Sequence, residues 1–202
     1  MNLSKNAFSF FIVPLFLLAS ISTATAQSNT VEQLEPSYEV ALHVVIGSNE
    51  PVAGVSLPTS LAGVSKHLKG NFAFSNYRLA NTFLGRISNT GNIEYKSVSN
   101  ILGQGTEAES QTFLDWSLTN FRVVPNGFQA RSFRFGARVP VKMGTVKEGA
   151  VTVNPLINYE SIGLSMNIIG FPANTPTLIG TISLPKTTGT IFLVATIRTA
   201  EM

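Results

Sequence analysis

The chain has 202 residues, 44% hydrophobic and only 12% charged, with no cysteine and a formal net charge of +3. The apolar share argues against a disordered chain. The missing cysteines exclude disulfides and cysteine-ligated zinc or iron–sulfur centres, and so small a positive balance does not suggest nucleic-acid binding.

Residues 1–26 read as a secretory signal peptide. Lys5 precedes the apolar run Phe8–Ile21, and Ala24-Thr25-Ala26 supplies a small-residue cleavage site. The run is shorter than the roughly 20 residues that span a bilayer. Cleavage after Ala26 leaves Gln27–Met202, sized for one domain or one domain with a small appendage, with no transmembrane helix. The expected location is periplasmic, outer-membrane-associated or extracellular. An exported chain without cysteine points to a bacterial envelope. Residues 27–37, with Glu32 and Glu35, read as a linker.

Tyr38–Gly47 begins with alternation and turns wholly apolar, the pattern of a buried strand. Leu57–Lys69 is the one good helix: Pro58 suits its first turn, Leu61, Val64 and Leu68 share a face, and Gly70 is placed to close it in a left-handed conformation. Phe72–Leu79 reads as a strand or a turn into one, continued by Phe83–Ile87. Asn89-Thr90-Gly91-Asn92 is a turn, Ile93–Val98 a short strand and Gly103–Thr106 a loop.

From there the pattern is β throughout. Thr112–Val124 places Leu114, Trp116 and Leu118 on one side and Asp115, Ser117 and Thr119 on the other. Pro125-Asn126-Gly127 is a hairpin turn, with Asn-Gly supplying positive φ, and Phe128–Val141 carries Phe133, Phe135, Ala137 and Val139 at period two. Gly144–Gly149 reads as a turn. Val151–Met166 reads as a strand pair broken at Pro155 and Gly163, with Pro155 marking an edge or bend. Pro172–Pro176 is a loop, and Leu178–Leu184 with Thr190–Thr199 forms a closing hairpin whose second strand is apolar enough to be central. The expected fold is mainly β (α+β): an antiparallel β-sandwich or partial barrel. A small strand–helix–strand portion over 38–110 and an antiparallel portion over 111–202 pack as one domain.

The chemistry-bearing residues are sparse. His43 and His67 lack the companions of a zinc site, and no G-x-S-x-G elbow accompanies the sole aspartate, Asp115. Glu94, Glu107, Glu109 and Glu160 are the candidates for a carboxylate pair. Gly103-Gln104-Gly105 lacks the third glycine of a dinucleotide loop. Arg122, Arg131, Arg134, Arg138, Lys142 and Lys147 make 122–147 the most basic stretch. It could meet an anionic polymer or lipid, although a solvated outer strand face explains it as well. Trp116, Phe121, Phe128, Phe133 and Phe135 cluster about one hairpin, as a β core or as a platform for sugar.

Leu61–Leu68 followed by Phe72–Leu79 resembles the helix-then-strand half of the small periplasmic modules of secretin-type outer-membrane channels. The closing stretches Leu178–Leu184 and Ile191–Ile197 look like the terminal hairpin of bacterial envelope proteins, including the secretin end. The chain departs from a secretin in lacking its length and its series of amphipathic pore strands. The resemblance implies a small envelope accessory protein rather than a channel, and carries over no functional residue.

The expected function is an exported, non-catalytic envelope protein with a binding or structural accessory role and another envelope protein as partner. Catalytic, cofactor-binding and metal residues: none are assigned, and no cofactor or nucleic acid is expected. An edge strand within 151–166 could receive the partner by β-augmentation. Two alternatives stay open. One is a hydrolase of cell-wall or extracellular polymers drawing on Asp115, Glu160 and the histidines. The other is a carbohydrate-binding module, which requires Trp116 to be exposed.

Overall fold

The computed structural model describes residues 36–49, 56–99, 111–143, 147–148, 151–152, 156–185 and 189–200. The signal segment, Gly103–Thr106, Glu107, Glu109 and Pro155 lie outside the described residues.

One antiparallel sheet is built from β1 (Ser37–Ser48), β2 (Asn76–Ser88), β10 (Thr177–Ser183) and β11 (Thr190–Thr199) in the order β10-β11-β1-β2. The other contains β3 (Ile93–Ser99), β4 (Thr112–Thr119), β5 (Arg122–Val124), β6 (Gly127–Met143) and β9 (Leu156–Pro172). In it β4 and β5 lie in tandem along one edge of β6, and β9 pairs along the other. Two short strands, β7 (Lys147–Glu148) and β8 (Val151–Thr152), pair with each other inside a stretch whose sequence reads partly as a turn. No ladder joins β2 to β3 or β9 to β10 among the described residues, so the two sheets form a sandwich and do not close into a barrel.

The sheets face each other across one core. Val40, Leu42 and Val44 of β1 and Ile191, Leu193 and Ile197 of β11 meet Leu114, Trp116, Leu118, Phe133 and Phe135 of the opposing sheet. The other face of the first sheet is buried too. Val45, Phe192 and Val194 point outward and are covered by Leu61, Val64 and Leu68 of α1 (Ala62–Asn71) and the short 3-10 turn before it, Thr59–Leu61. Burial on both faces is why β1 and β11 read as continuous apolar runs. Phe72, Phe74 and Tyr77 pack their rings around Phe192 at centroid distances of 4.8, 6.0 and 5.8 Å. Burying one such side chain contributes about 1.5–3 kcal/mol.

The helix runs through Gly70 and stops at Phe72, whose backbone is extended and whose N–H donates to the Leu68 carbonyl at 2.9 Å. Gly70 is helical and not left-handed, and Tyr77 Oη lies 3.0 Å from both the Leu68 and the Phe72 carbonyl oxygens, its one hydrogen shared between them. Asn71 Nδ2 likewise donates to the His67 carbonyl at 2.8 Å. They add side-chain hydrogen bonds at the last turn of the helix and at the residue just past it. The next strand starts at Asn76 and runs unbroken to Ser88, so Phe72–Ser75 belongs to the helix exit and not to β2.

The hairpin between β5 and β6 turns on Pro125 and Asn126, and the positive φ falls on Gly127, at 144°. A Cβ there would collide with the Phe171 carbonyl oxygen. Gly163 does not break β9. It pairs with Gly136, and a Cβ on it would stand 2.8 Å from the Phe135 carbonyl oxygen. The glycine lets two long strands approach where a side chain would hold them apart.

Candidate functional site

Three strands of the second sheet change face at one row. In β4, Leu114, Trp116 and Leu118 point inward, and the next buried residue is Phe121, three positions on. In β6, Phe128 and Ala130 point inward and the inward set resumes at Phe133, again three on. In β9, Leu164 and Met166 pack on the core and are followed by Ile169. The register aligns these steps. Leu118, Phe133 and Met166 form one cross-strand row, Phe133 pairing with each of the others. Thr119–Ser132–Asn167 is the next, and Ala130–Ile169 continues the register beyond the break. Between them stands the row Asn120–Arg131–Ile168, where neither ladder is bridged and all three residues are exposed. Asn120 and Ile168 have φ of 49° and 54°. The strand expected over Thr112–Val124 is therefore interrupted at Asn120 and Phe121 by a left-handed residue.

The interruption strands backbone groups that a ladder would have paired, and the β2–β3 turn takes them up. Thr90 N–H donates to the Phe121 carbonyl at 2.7 Å, and Phe121 N–H donates to the Gly91 carbonyl at 3.1 Å. The two turn asparagines complete the set: Asn92 Oδ1 accepts from Asn120 N–H at 2.7 Å, and Asn89 Oδ1 accepts from Val123 N–H at 3.2 Å. Thr90 itself holds a φ of 63°. Of the four non-glycine residues with positive φ among the described residues, three (Thr90, Asn120 and Ile168) thus meet at one place. Strained backbone persists only where its surroundings over-determine it, and it concentrates at functional sites.

That place is a cleft of about 710 Å³. Exposed Ile168 supplies its apolar part above the buried Phe121, and Arg122, Gln129, Arg131 and Asn167 its polar wall with Thr90 and Asn120. Arg122 donates from Nε to Gln129 Oε1 at 2.8 Å, with Nη2 on the same oxygen. Gln129 and Arg131 are two apart on β6, so Arg122 and Arg131 are diagonal cross-strand neighbours on one face. The ion pairs among the described residues are Lys96–Glu94 and Arg198–Glu39, and neither involves these guanidiniums.

The structure separates the residues from which a catalytic set could be drawn. Asp115 points away from the core, its carboxylate over Gly136 and its register partners Lys96 and Gly136. Glu160 pairs with buried Val139 and has the opposite parity in the same sheet. His43 is on the outer face of the first sheet, where Nδ1 lies 3.0 Å from Thr82 Oγ1, and burial pushes its pKa below the usual 6.5. His67 is exposed on α1 beside Asn71. Glu94 pairs with Lys96 on β3 at 3.0 Å. Neither a Ser-His-Asp arrangement nor a facing carboxylate pair is assembled from these residues. Among the described residues no group of three or more His, Asp or Glu could hold a metal ion. No described helix is long and apolar enough to cross a membrane.

The aromatic cluster resolves into core. Trp116 is 2% exposed and stacks on Tyr95 at 5.9 Å, so it offers no platform to sugar, and a carbohydrate site built on it is ruled out. The basic stretch divides. Arg134 and Arg138 lie on the outer face, Arg138 over the Phe113 ring at 5.0 Å. Arg131 has the parity of Phe133 and would point inward in an unbroken strand; the change of face turns it out to join Arg122. The spacing of three between Leu118 and Phe121, Ala130 and Phe133, and Met166 and Ile169 is the sequence signal that marks this row.

A second feature adjoins the cleft. β9 pairs with β6 on either side of the unbridged Ile168, and no ladder occupies its other side among the described residues. Leu164 closes the sandwich beneath it, packing toward Gly180 of β10. Over 17 residues this edge carries one charge, Glu160. The edge strand β3, by contrast, sets exposed Glu94 and Lys96 along seven residues. Charged and short edges resist strand pairing, whereas long neutral ones invite it.

Among the described residues, fold and site together define an antiparallel β-sandwich with an outer helix, a neutral strand edge without a ladder, and an arginine-lined cleft. No family model and no curated relative matches the chain. Among solved structures it is similar to the secretin-domain β-barrel of InvG from the Salmonella SPI-1 injectisome, at 12% identity and a TM-score of 0.32. It is also similar to the type IV competence pilus secretin PilQ of V. cholerae, at 13% identity and a TM-score of 0.26. Each alignment covers 83% of this chain, but 64% and 58% of the respective secretin chains. Neither likeness assigns a function to this chain.

Proposed function

We propose that this chain is an exported, non-catalytic accessory protein of the bacterial envelope, which binds an extended segment of another envelope protein along the open side of β9. The observation that carries the reading is the 17-residue strand itself, paired with β6 on one side except at Ile168, without a ladder on the other among the described residues, and with a single charge. Strand addition draws its affinity from main-chain hydrogen bonds and its specificity from alternate side chains. Export is supported by the basic, apolar and small-residue order of residues 1–26.

The test is capture of tagged protein from crosslinked envelopes, run in parallel with a Ser161→Lys/Ser165→Lys variant. Both serines are exposed, and lysine on an edge discourages pairing. A stoichiometric partner held by the parent chain and lost from the folded variant supports the reading. Equal capture by both, or no partner for either, contradicts it.

A further inference from the structure

The cleft at the row Asn120–Arg131–Ile168 has a use distinct from the β9 edge. Arg122 and Arg131 are diagonal neighbours in register, the Arg122 fork rests on the neutral Gln129 Oε1, and no carboxylate among the described residues pairs with either arginine. Diagonal neighbours on one sheet face lie within reach of long side chains, so one oxyanion can meet both positive charges. The planar forks of arginine suit carboxylate and phosphate, which they can grip with two parallel hydrogen bonds. Among the described residues no acidic side chain lines the cleft, so none of them offers a cationic ligand a counter-charge there.

The remaining wall narrows the ligand further. Thr90 Oγ1 and the side-chain amides of Asn120 and Asn167 make no hydrogen bond among the described residues, and all three residues are exposed at the cleft. They are donors and acceptors of the kind that meets hydroxyl groups. Phe121 is fully buried and stacked on Phe128 at 5.4 Å, so no open ring face awaits a nucleobase. A volume of about 710 Å³ falls within the ordinary range for small-ligand sites. The backbone around the cleft is set in advance by the four bonds from the β2–β3 turn, so little ordering is required on binding.

We infer that this cleft binds an anionic saccharide, its phosphate or carboxylate held between Arg122 and Arg131 and its hydroxyls by Thr90, Asn120 and Asn167. The inference stands on residues separate from those that carry the strand-addition reading, so either can fail alone.

The test is an NMR titration of the protein with glucose 6-phosphate, glucuronate, glucose and inorganic phosphate, each repeated on Arg122→Gln/Arg131→Gln and on Arg134→Gln. Arg122 and Arg131 are exposed, and an unchanged spectrum outside the cleft verifies that the double variant folds. The expected result is that at least one charged sugar binds at least about tenfold more tightly than both glucose and inorganic phosphate. Loss of the two guanidiniums should weaken it at least about tenfold, with Arg134→Gln binding as the parent does. Which charged sugar is preferred tells a phosphorylated glycan from a uronate. Equal affinity for glucose, equal affinity for inorganic phosphate, no binding at all, or binding that survives in the double variant would overturn the inference.

Discussion

Asn120 and Ile168 stand in one cross-strand row on either side of Arg131, and both hold a positive φ, 49° and 54°. Asparagine tolerates that conformation, but for β-branched isoleucine it costs about 1–2 kcal/mol. Ile168 is 70% exposed, so burial of its side chain offsets little of the cost. Ile168→Asn should therefore raise the unfolding free energy by about 1 kcal/mol in urea denaturation. A loss of stability would mean that the isoleucine side chain makes contacts the fold depends on.

The turn that stitches the interrupted strand is expected to matter beyond its exposure. Asn92→Ala removes the acceptor for Asn120 N–H and Asn89→Ala the acceptor for Val123 N–H. Each should cost about 0.5–1.5 kcal/mol, the usual net worth of one hydrogen bond. If both changes are neutral by thermal unfolding, the turn does not hold the interruption in place.

Trp116 gives a spectroscopic check on the core. Its emission should be blue-shifted and resistant to acrylamide in the native protein, because it is buried against Tyr95 and Phe83. Trp116→Ala should cost about 3–5 kcal/mol. Trp116→Phe should cost well under half of that, since the buried indole Nε1 has no hydrogen-bond partner among the described residues to lose. Red-shifted, readily quenched emission would restore the sugar-platform reading of this residue.

His43 makes stability depend on pH. Its folded pKa lies below the unfolded value of 6.5 because burial disfavours the charged ring. The unfolded chain takes up the proton first. The stability held by neutral His43 is therefore complete above about pH 6.5 and is lost as pH falls through that value toward the lower folded one. The charged groups sharing its cleft are Glu39 and Arg198, an ion pair at 2.6 Å. The unfolding free energy should fall between pH 7.5 and pH 5.5, and His43→Gln should flatten that slope. A variant with the parent's slope would move the effect to another group.

Much of the sandwich could be read from local pattern. β1 and β11 announced themselves as apolar runs, and Leu61, Val64 and Leu68 marked the helix face that covers Phe192. Periodicity failed where tertiary partners replaced local signals. Gly70 reads as a helix stop, but the helix continues through Asn71 and ends at extended Phe72, with Tyr77 Oη against its last turn. Gly163 looked like a break, but its bare backbone serves close approach to β6. The cleft was the least legible part. Arg131 carries the parity of the core, and only the matching steps of three in β4, β6 and β9 reveal that it turns outward. That match requires knowing which residues pair across strands, which one strand's sequence does not contain.

The central claim is that β9 receives a strand from another protein. The most direct measurement is site-specific photocrosslinking in the native envelope, with the reactive side chain placed at Ser165 on β9 or at exposed Lys66 on α1. The account predicts one discrete protein adduct from Ser165, none from Lys66, and loss of the adduct when Ser161→Lys is added. No adduct from Ser165, or the same adduct from both positions, would contradict it.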